Sequence, residues 1–397
     1  MHYVRFFYGR LLNTKIIPEF SLPSDIYARQ NATASIAGII ETFGKRTAII
    51  ITSSDFEMLY KKIQNISGAL TKAGIGCMIY DKLPKEPDTE SIDEAVRFIK
   101  RANCDSIIGF GGIESINCAK AISILINNYV FCNDIFSQTL TNDPVNLVII
   151  PAYPVFGFEI NPFFYIADIT ENEKHVFFDR RLYPKATIID PDLAMDVALD
   201  EIIKNGIATL AIALESIISN NNNEIINTFA LKSIDMIFRS LPGISKETAD
   251  YEKISLISTA SFMAGIAFSS SFLSISAAIG LALTQKSKIT FADAINVIIP
   301  YAMEYNLTAA TGKYVQIAKV MGESLQNMTV IEAALKAVAA VRSLESESNT
   351  PQKLSIFNIQ KQDIKKIAQT AAKYPFLENS PQSINSDEIE AIIVSAL

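Results

Sequence analysis

Histidine is nearly absent from this chain: His2 and His175 are the only two in 397 residues. Imidazole is the commonest protein ligand of catalytic transition metals and a frequent acid–base group. A three-histidine metal site therefore cannot be built within the chain. Cysteine is sparse as well. Cys77, Cys104, Cys118 and Cys132 are widely spaced with no Cys-x-x-Cys pair, so neither a zinc site nor a redox pair is signalled, and a reducing compartment is expected. A basic stripe is missing too. The formal net charge of -7 argues against non-specific nucleic-acid binding, which needs clustered Lys and Arg. The opening stretch Met1–Arg10 has no uninterrupted apolar run, so no signal peptide and a cytoplasmic location are expected.

What is present is apolar and ordered in pattern. Hydrophobic residues make up 49% of the chain, enough for a sizeable core, and the length predicts two domains. In the first half, short apolar runs alternate with helical stretches. Strands are predicted at 47–52, 77–80, 106–110 and 146–150, and helices at 56–73 and 92–100, with another after Gly112 running through Leu125. Such alternation implies a parallel sheet covered by helices. Beyond Asp190-Pro191-Asp192 the pattern becomes helical, from about Leu199 onward, so the predicted domains are 1–190, α/β, and 191–397, all-α. Residues 254–285 carry no charge, long enough for a bilayer span. Eight serines with Gly265 and Gly280 interrupt them and lysines flank both ends, so buried helices are favoured over a membrane segment.

Four segments, in order, carry a resemblance to a known family. The first is Ile107-Ile108-Gly109-Phe110-Gly111-Gly112-Ile113-Glu114-Ser115-Ile116-Asn117-Cys118-Ala119-Lys120. The second is Ile150-Pro151 followed by Gly157 and Glu159. The third is Lys174-His175 with the run Tyr183-Pro184-Lys185-Ala186-Thr187-Ile188-Ile189-Asp190-Pro191-Asp192-Leu193. The fourth is Ala294-Ile295-Asn296 through Pro300 to Tyr305-Asn306. Together they resemble the iron-containing (group III) alcohol dehydrogenases over roughly residues 20–345. The resemblance implies a Rossmann-like, dehydroquinate synthase-like α/β domain that binds a dinucleotide, followed by an all-α domain. It also implies homo- or hetero-oligomers.

The same resemblance implies a metal held by one Asp and three His. The first two ligands sit four apart on a helix, in a Gly-x-Asp-Ala-Leu-x-His-Ala-x-Glu frame. Gly206, Leu210, Ala213 and Glu215 keep that frame, but Ala208 and Ile212 stand where Asp and His would be. The other two ligands fall at about Ala277 and Phe291, and a further, non-ligand His falls at Leu281. None of these side chains offers a donor, so neither iron nor zinc is expected there, and the chain reads as a degenerate member without the family's metal chemistry. Glu215 is read as a carboxylate that caps or pairs within the helical domain. His175, beside Glu171-Asn172-Glu173-Lys174, is read as solvated.

The nucleotide site is partly kept. Gly111 and Gly112 retain two glycines of a phosphate-binding turn, and Lys174 matches a lysine near the cofactor; these three are the candidate NAD(P)-binding residues. Ile113 and Glu114 replace a glycine and a serine. A carboxylate at 114 would repel a pyrophosphate. Tyr153-Pro154-Val155-Phe156-Gly157-Phe158-Glu159 stands where the family has Thr-x-Gly-Thr-Gly-Ser-Glu. The expected roles are a partner or regulatory subunit beside an active relative, or a small-ligand binder; the alternative is an NAD(P)-dependent oxidoreductase with a rebuilt, metal-independent site. Neither nucleic acid nor membrane is an expected partner.

Overall fold

A computed structural model describes residues 19–171, 173–244 and 250–397. His2 and the leader reading of Met1–Arg10 lie outside these residues. Of the described residues, Leu22–Ala198 form one compact unit and 199–397 with 19–21 the other, so the main division falls a few residues beyond the composition shift at 190.

In the first unit the elements follow one another as β1 (Asp25–Ala28), α1 (Ile36–Glu41), β2 (Arg46–Thr52), α2 (Ser53–Lys72), β3 (Gly76–Leu83), α3 (Thr89–Lys100), β4 (Ser106–Gly111), α4 (Ile113–Leu125), β5 (Asn146–Pro151), β6 (Phe163–Asp168), β7 (Glu173–Phe178), β8 (Ala186–Ile189) and α5 (Pro191–Ala194). Six strands form a sheet in the order β1-β8-β5-β4-β2-β3, and every pairing in it is parallel. β6 and β7 form a separate antiparallel pair. The central strands β4 and β5 are continuous apolar runs because helices cover both faces of such a sheet. All six residues of β4 are buried. The helix that follows it, α4, is buried from Ser115 to Leu125 on every side, its polar Asn117 and Lys120 included. α3 starts at a capping box in which Asp88 accepts the Ser91 N–H at 2.8 Å and Ser91 Oγ accepts the Asp88 N–H at 2.9 Å.

β1, β8 and the β6–β7 pair were not legible from periodicity. β1 and β8 are four residues each, too short to display a period.

The second unit is helical: α6 (Leu199–Ile218), α7 (Glu224–Ser240), α8 (Tyr251–Ser271), α9 (Ile275–Thr284), α10 (Phe291–Asn306), α11 (Thr311–Val320), α12 (Val330–Glu347), α13 (Lys361–Ala371) and α14 (Ser386–Ser395). The uncharged 254–285 stretch is divided between α8 and α9, which part at Phe272, where φ is 63°. α8 has the length and mean hydropathy, 1.4, to cross a membrane, yet 72% of that window is buried inside the protein. Two close approaches set the packing of this unit. Gly206 lets α6 lie against Leu241 and Ile257, and Gly280 lets Phe291 of α10 lie against α9.

Candidate functional site

The site is built where three parallel strands end. β4 pairs with β5 in a register that sets Gly111 opposite Pro151, and the Ala152 N–H then donates to Gly111 O at 3.0 Å. That continuation brings Tyr153 beside the glycine turn. On the other side β2, paired with β4, ends at Thr52, and Asp55 follows one turn into α2. Ligands of open α/β sheets bind outside the carboxyl ends of strands, and a glycine turn opening a helix offers N–H donors to phosphate there.

The Asp55 carboxylate occupies that turn. Its Oδ2 accepts the Gly112 N–H at 2.9 Å and the Ser115 hydroxyl at 2.5 Å. Ser115 Oγ in turn accepts the Thr52 N–H at 2.9 Å. The Tyr153 hydroxyl lies 3.5 Å from Asp55 Oδ1. Asp55 is buried, and Ser115 and Gly112 are buried with it. Gly111 sits at φ +129°, which L side chains rarely adopt, and a Cβ there would come within 2.5 Å of Asp55 Oδ2. A Cβ on Gly112 would overlap the Tyr153 hydroxyl. The glycines thus admit a close neighbour, and that neighbour is the protein's own carboxylate and phenol.

Lys174, the third expected cofactor residue, lies on β7. Its ammonium is 5.4 Å from the ring centre of Tyr165 on β6, whose hydroxyl is 3.2 Å from Glu114 Oε1. Removal from water pushes the Glu114 carboxyl above its ordinary range, while the Lys174 charge and the Tyr165 hydroxyl pull it back. Through Glu114 the structure joins Lys174 to the first turn of α4, so the three expected residues share one neighbourhood.

Lys120 carried no expected role of its own, yet it holds the loop after β5. It is fully buried and donates to Phe158 O at 2.7 Å, Asn161 Oδ1 at 3.0 Å and Phe163 O at 2.7 Å. Burial lowers its pKa well below the usual lysine range, partly opposed by Glu159. Its position as the eighth residue of a helix covered on all sides was the available signal.

The helical unit has apolar side chains where the resemblance puts metal ligands. Ala208, Ile212, Ala277 and Phe291 are all buried, and none carries a nitrogen, oxygen or sulfur donor. They do not fit an iron or zinc ion. Glu215, one turn beyond Ile212, accepts the Ser276 N–H at 2.7 Å and so caps α9, the helix-domain role expected of it. Burial raises its pKa to about 7, opposed by the hydrogen bonds it accepts at that helix start.

His175 departs from expectation. Its side chain is 13% exposed rather than solvated, and its ring centre lies 4.9 Å from that of Phe136. The antiparallel pairing of β6 and β7 turns it inward, while its sequence neighbours are polar.

Residues 23–191 match the family profile described as iron-containing alcohol dehydrogenase, and residues 202–397 match the profile of the Fe-containing alcohol dehydrogenase family, C-terminal. The chain is 24% identical to the NAD-dependent methanol dehydrogenase of Bacillus methanolicus over 379 residues, covering 95% of this chain and 99% of that protein. It is 24% identical to the 1,3-propanediol dehydrogenase of Klebsiella pneumoniae over 383 residues, covering 95% and 98%. Among solved structures, an alcohol dehydrogenase from Oenococcus oeni superimposes with a TM-score of 0.90 at 22% identity, over 95% of this chain and 99% of that one. The chain belongs to the iron-containing alcohol dehydrogenase family.

Proposed function

We propose that this chain does not work as a metal-dependent alcohol dehydrogenase and serves instead as a partner or regulatory subunit, or as a binder of a small ligand. It would act in the cytoplasm, in a homo-oligomer or beside an active relative, with neither nucleic acid nor membrane as partner. One observation carries this reading: Asp55 engages the Gly112 N–H that a phosphate-binding turn would offer to a dinucleotide. The apolar side chains at 208, 212, 277 and 291 support it, because no electron-pair donor remains there to polarise a substrate oxygen.

A second reading has its own support. Lys174 and the turn glycines are retained, and relatives that match nearly the full length are dehydrogenases of methanol and 1,3-propanediol. It makes the chain an NAD(P)-dependent oxidoreductase on a small alcohol or aldehyde, with a rebuilt, metal-independent site.

Titration of the purified, tag-free chain with NADH and NADPH, followed by turnover assays on short alcohols and aldehydes with and without added Fe2+, separates the two. The first reading expects no saturable binding and no turnover. Turnover with either cofactor would sink it in favour of the second.

A further inference from the structure

The β6–β7 pair gathers three metal-ligating side chains, none of them at a position where the family resemblance puts a metal ligand. Register sets Ile166 opposite His175, so Asp168 and His175 are diagonal neighbours on one face of the pair. Glu171, in the turn between the strands, reaches back to them. His175 Nε2 lies 3.1 Å from Glu171 Oε2 and 3.8 Å from Asp168 Oδ2, and one donor atom from each of the three residues lies within 4.8 Å of the others. Among the described residues this is the one such group of three.

We propose that Asp168, Glu171 and His175 form a binding site for a divalent transition cation of the zinc type. The donor spacing fits. Metal–ligand bonds of about 2.1 Å place two donors of a tetrahedral ion roughly 3.4 Å apart, and the two measured separations fall on either side of that value. The donor set fits as well: two carboxylate oxygens and one imidazole nitrogen suit a borderline cation better than a soft monovalent one. Three protein ligands leave a position for water.

The site is also pre-organised. Asp168 has an 8% exposed side chain, and its Oδ1 already accepts the N–H groups of Thr170 at 2.7 Å and Glu171 at 3.2 Å. Those bonds hold Oδ2 toward His175. The Phe136 ring packs on the imidazole, and Asn133 Nδ2 reaches Thr170 Oγ1 at 3.3 Å to tether the turn. Glu171 is 47% exposed, which opens the site to solvent for entry of the ion. Burial chiefly raises the pKa of the nearby Cys132 thiol, and the carboxylates of Asp93, Asp168 and Asp88 add to that rise.

A bound ion would tie the turn to β7, the strand that carries Lys174 on its opposite face. The site stands whether or not the glycine turn takes a dinucleotide, and its test is independent of turnover.

The test is calorimetric titration of the tag-free full chain with Zn2+, beside the variants Glu171→Gln and His175→Gln. The wild type is expected to bind one equivalent at these residues, with affinity falling at least tenfold in each variant. Failure of the wild type to bind, or an affinity unchanged in either variant, overturns the proposal. Glu171 is a solvent-facing ligand, so Glu171→Gln decides the matter even if His175→Gln fails to fold.

Discussion

Asp55 and Gly112 stand 57 residues apart, and the carboxylate of the first accepts the backbone N–H of the second at 2.9 Å. A helix start that could receive a phosphate is therefore engaged by an internal anion, and a dinucleotide must displace it or share a like charge with it. Asp55→Ala should free the turn. Charge-assisted hydrogen bonds of this kind contribute about 1.5–3 kcal/mol, so a stability loss of that order is expected in urea unfolding. NADH affinity, read by fluorescence titration, should rise. Tight NADH binding by the wild type that Asp55→Ala leaves unchanged would remove the basis of the partner-subunit reading.

Gly112 and Tyr153 are matched in shape. A Cβ at Gly112 overlaps the phenol hydroxyl, so Gly112→Ala should destabilise by about 1–3 kcal/mol, the usual cost of overpacking. Tyr153→Ala in the same chain should recover most of that loss. The double-mutant cycle, measured by chemical denaturation, should give a coupling above 0.5 kcal/mol, whereas independent residues would give additive losses.

Lys120 ties three acceptors together in the interior. Replacement by Met keeps the volume but removes the ammonium's hydrogen bonds to two backbone carbonyls and one amide oxygen. The expected loss is about 1.5–3 kcal/mol or more, the scale of a buried hydrogen bond to a charged group. A loss below 1 kcal/mol would mean that water replaces the ammonium without cost.

Two buried carboxyls predict a pH trend. Glu215 is raised from 4.5 to about 7 and Glu345 from 4.5 to about 8, each chiefly by burial. Between 4.5 and these values the folded chain holds protons that the unfolded chain has released. Their contribution is thus fully present below 4.5 and is lost as pH rises to about 7 for Glu215 and about 8 for Glu345. Each pKa unit corresponds to about 1.4 kcal/mol, so Glu215 alone sets a change on the order of 3 kcal/mol. Glu215→Gln still presents an oxygen to the Ser276 N–H and should flatten the trend. Thermal unfolding from pH 5 to 8 checks it; an equal slope in wild type and variant refutes the assignment.

Much of the first unit was legible because its central strands are covered on both faces and so read as unbroken apolar runs, with Gly111 and Gly112 marking the turn after one of them. The helical character after Leu199 was legible from its period. Glu215 was read correctly as a carboxylate used within the helical domain, since the surrounding frame is that of a buried helix. His175 was misread because the sequence shows only its polar neighbours, while burial is decided by the face of β7 that meets Phe136.

Composition alone settled that two histidines cannot furnish three imidazole ligands, and residue identity settled that positions 208, 212, 277 and 291 have no donor atoms. Both are matters of chemical inventory and need no coordinates. Only the folded chain could bring Asp55 to the turn at Gly112, Lys120 to the carbonyls of Phe158 and Phe163, and Asp168 to His175. Each of these pairings depends on strand register and on the direction a side chain takes from its element, and neither is written in the local sequence.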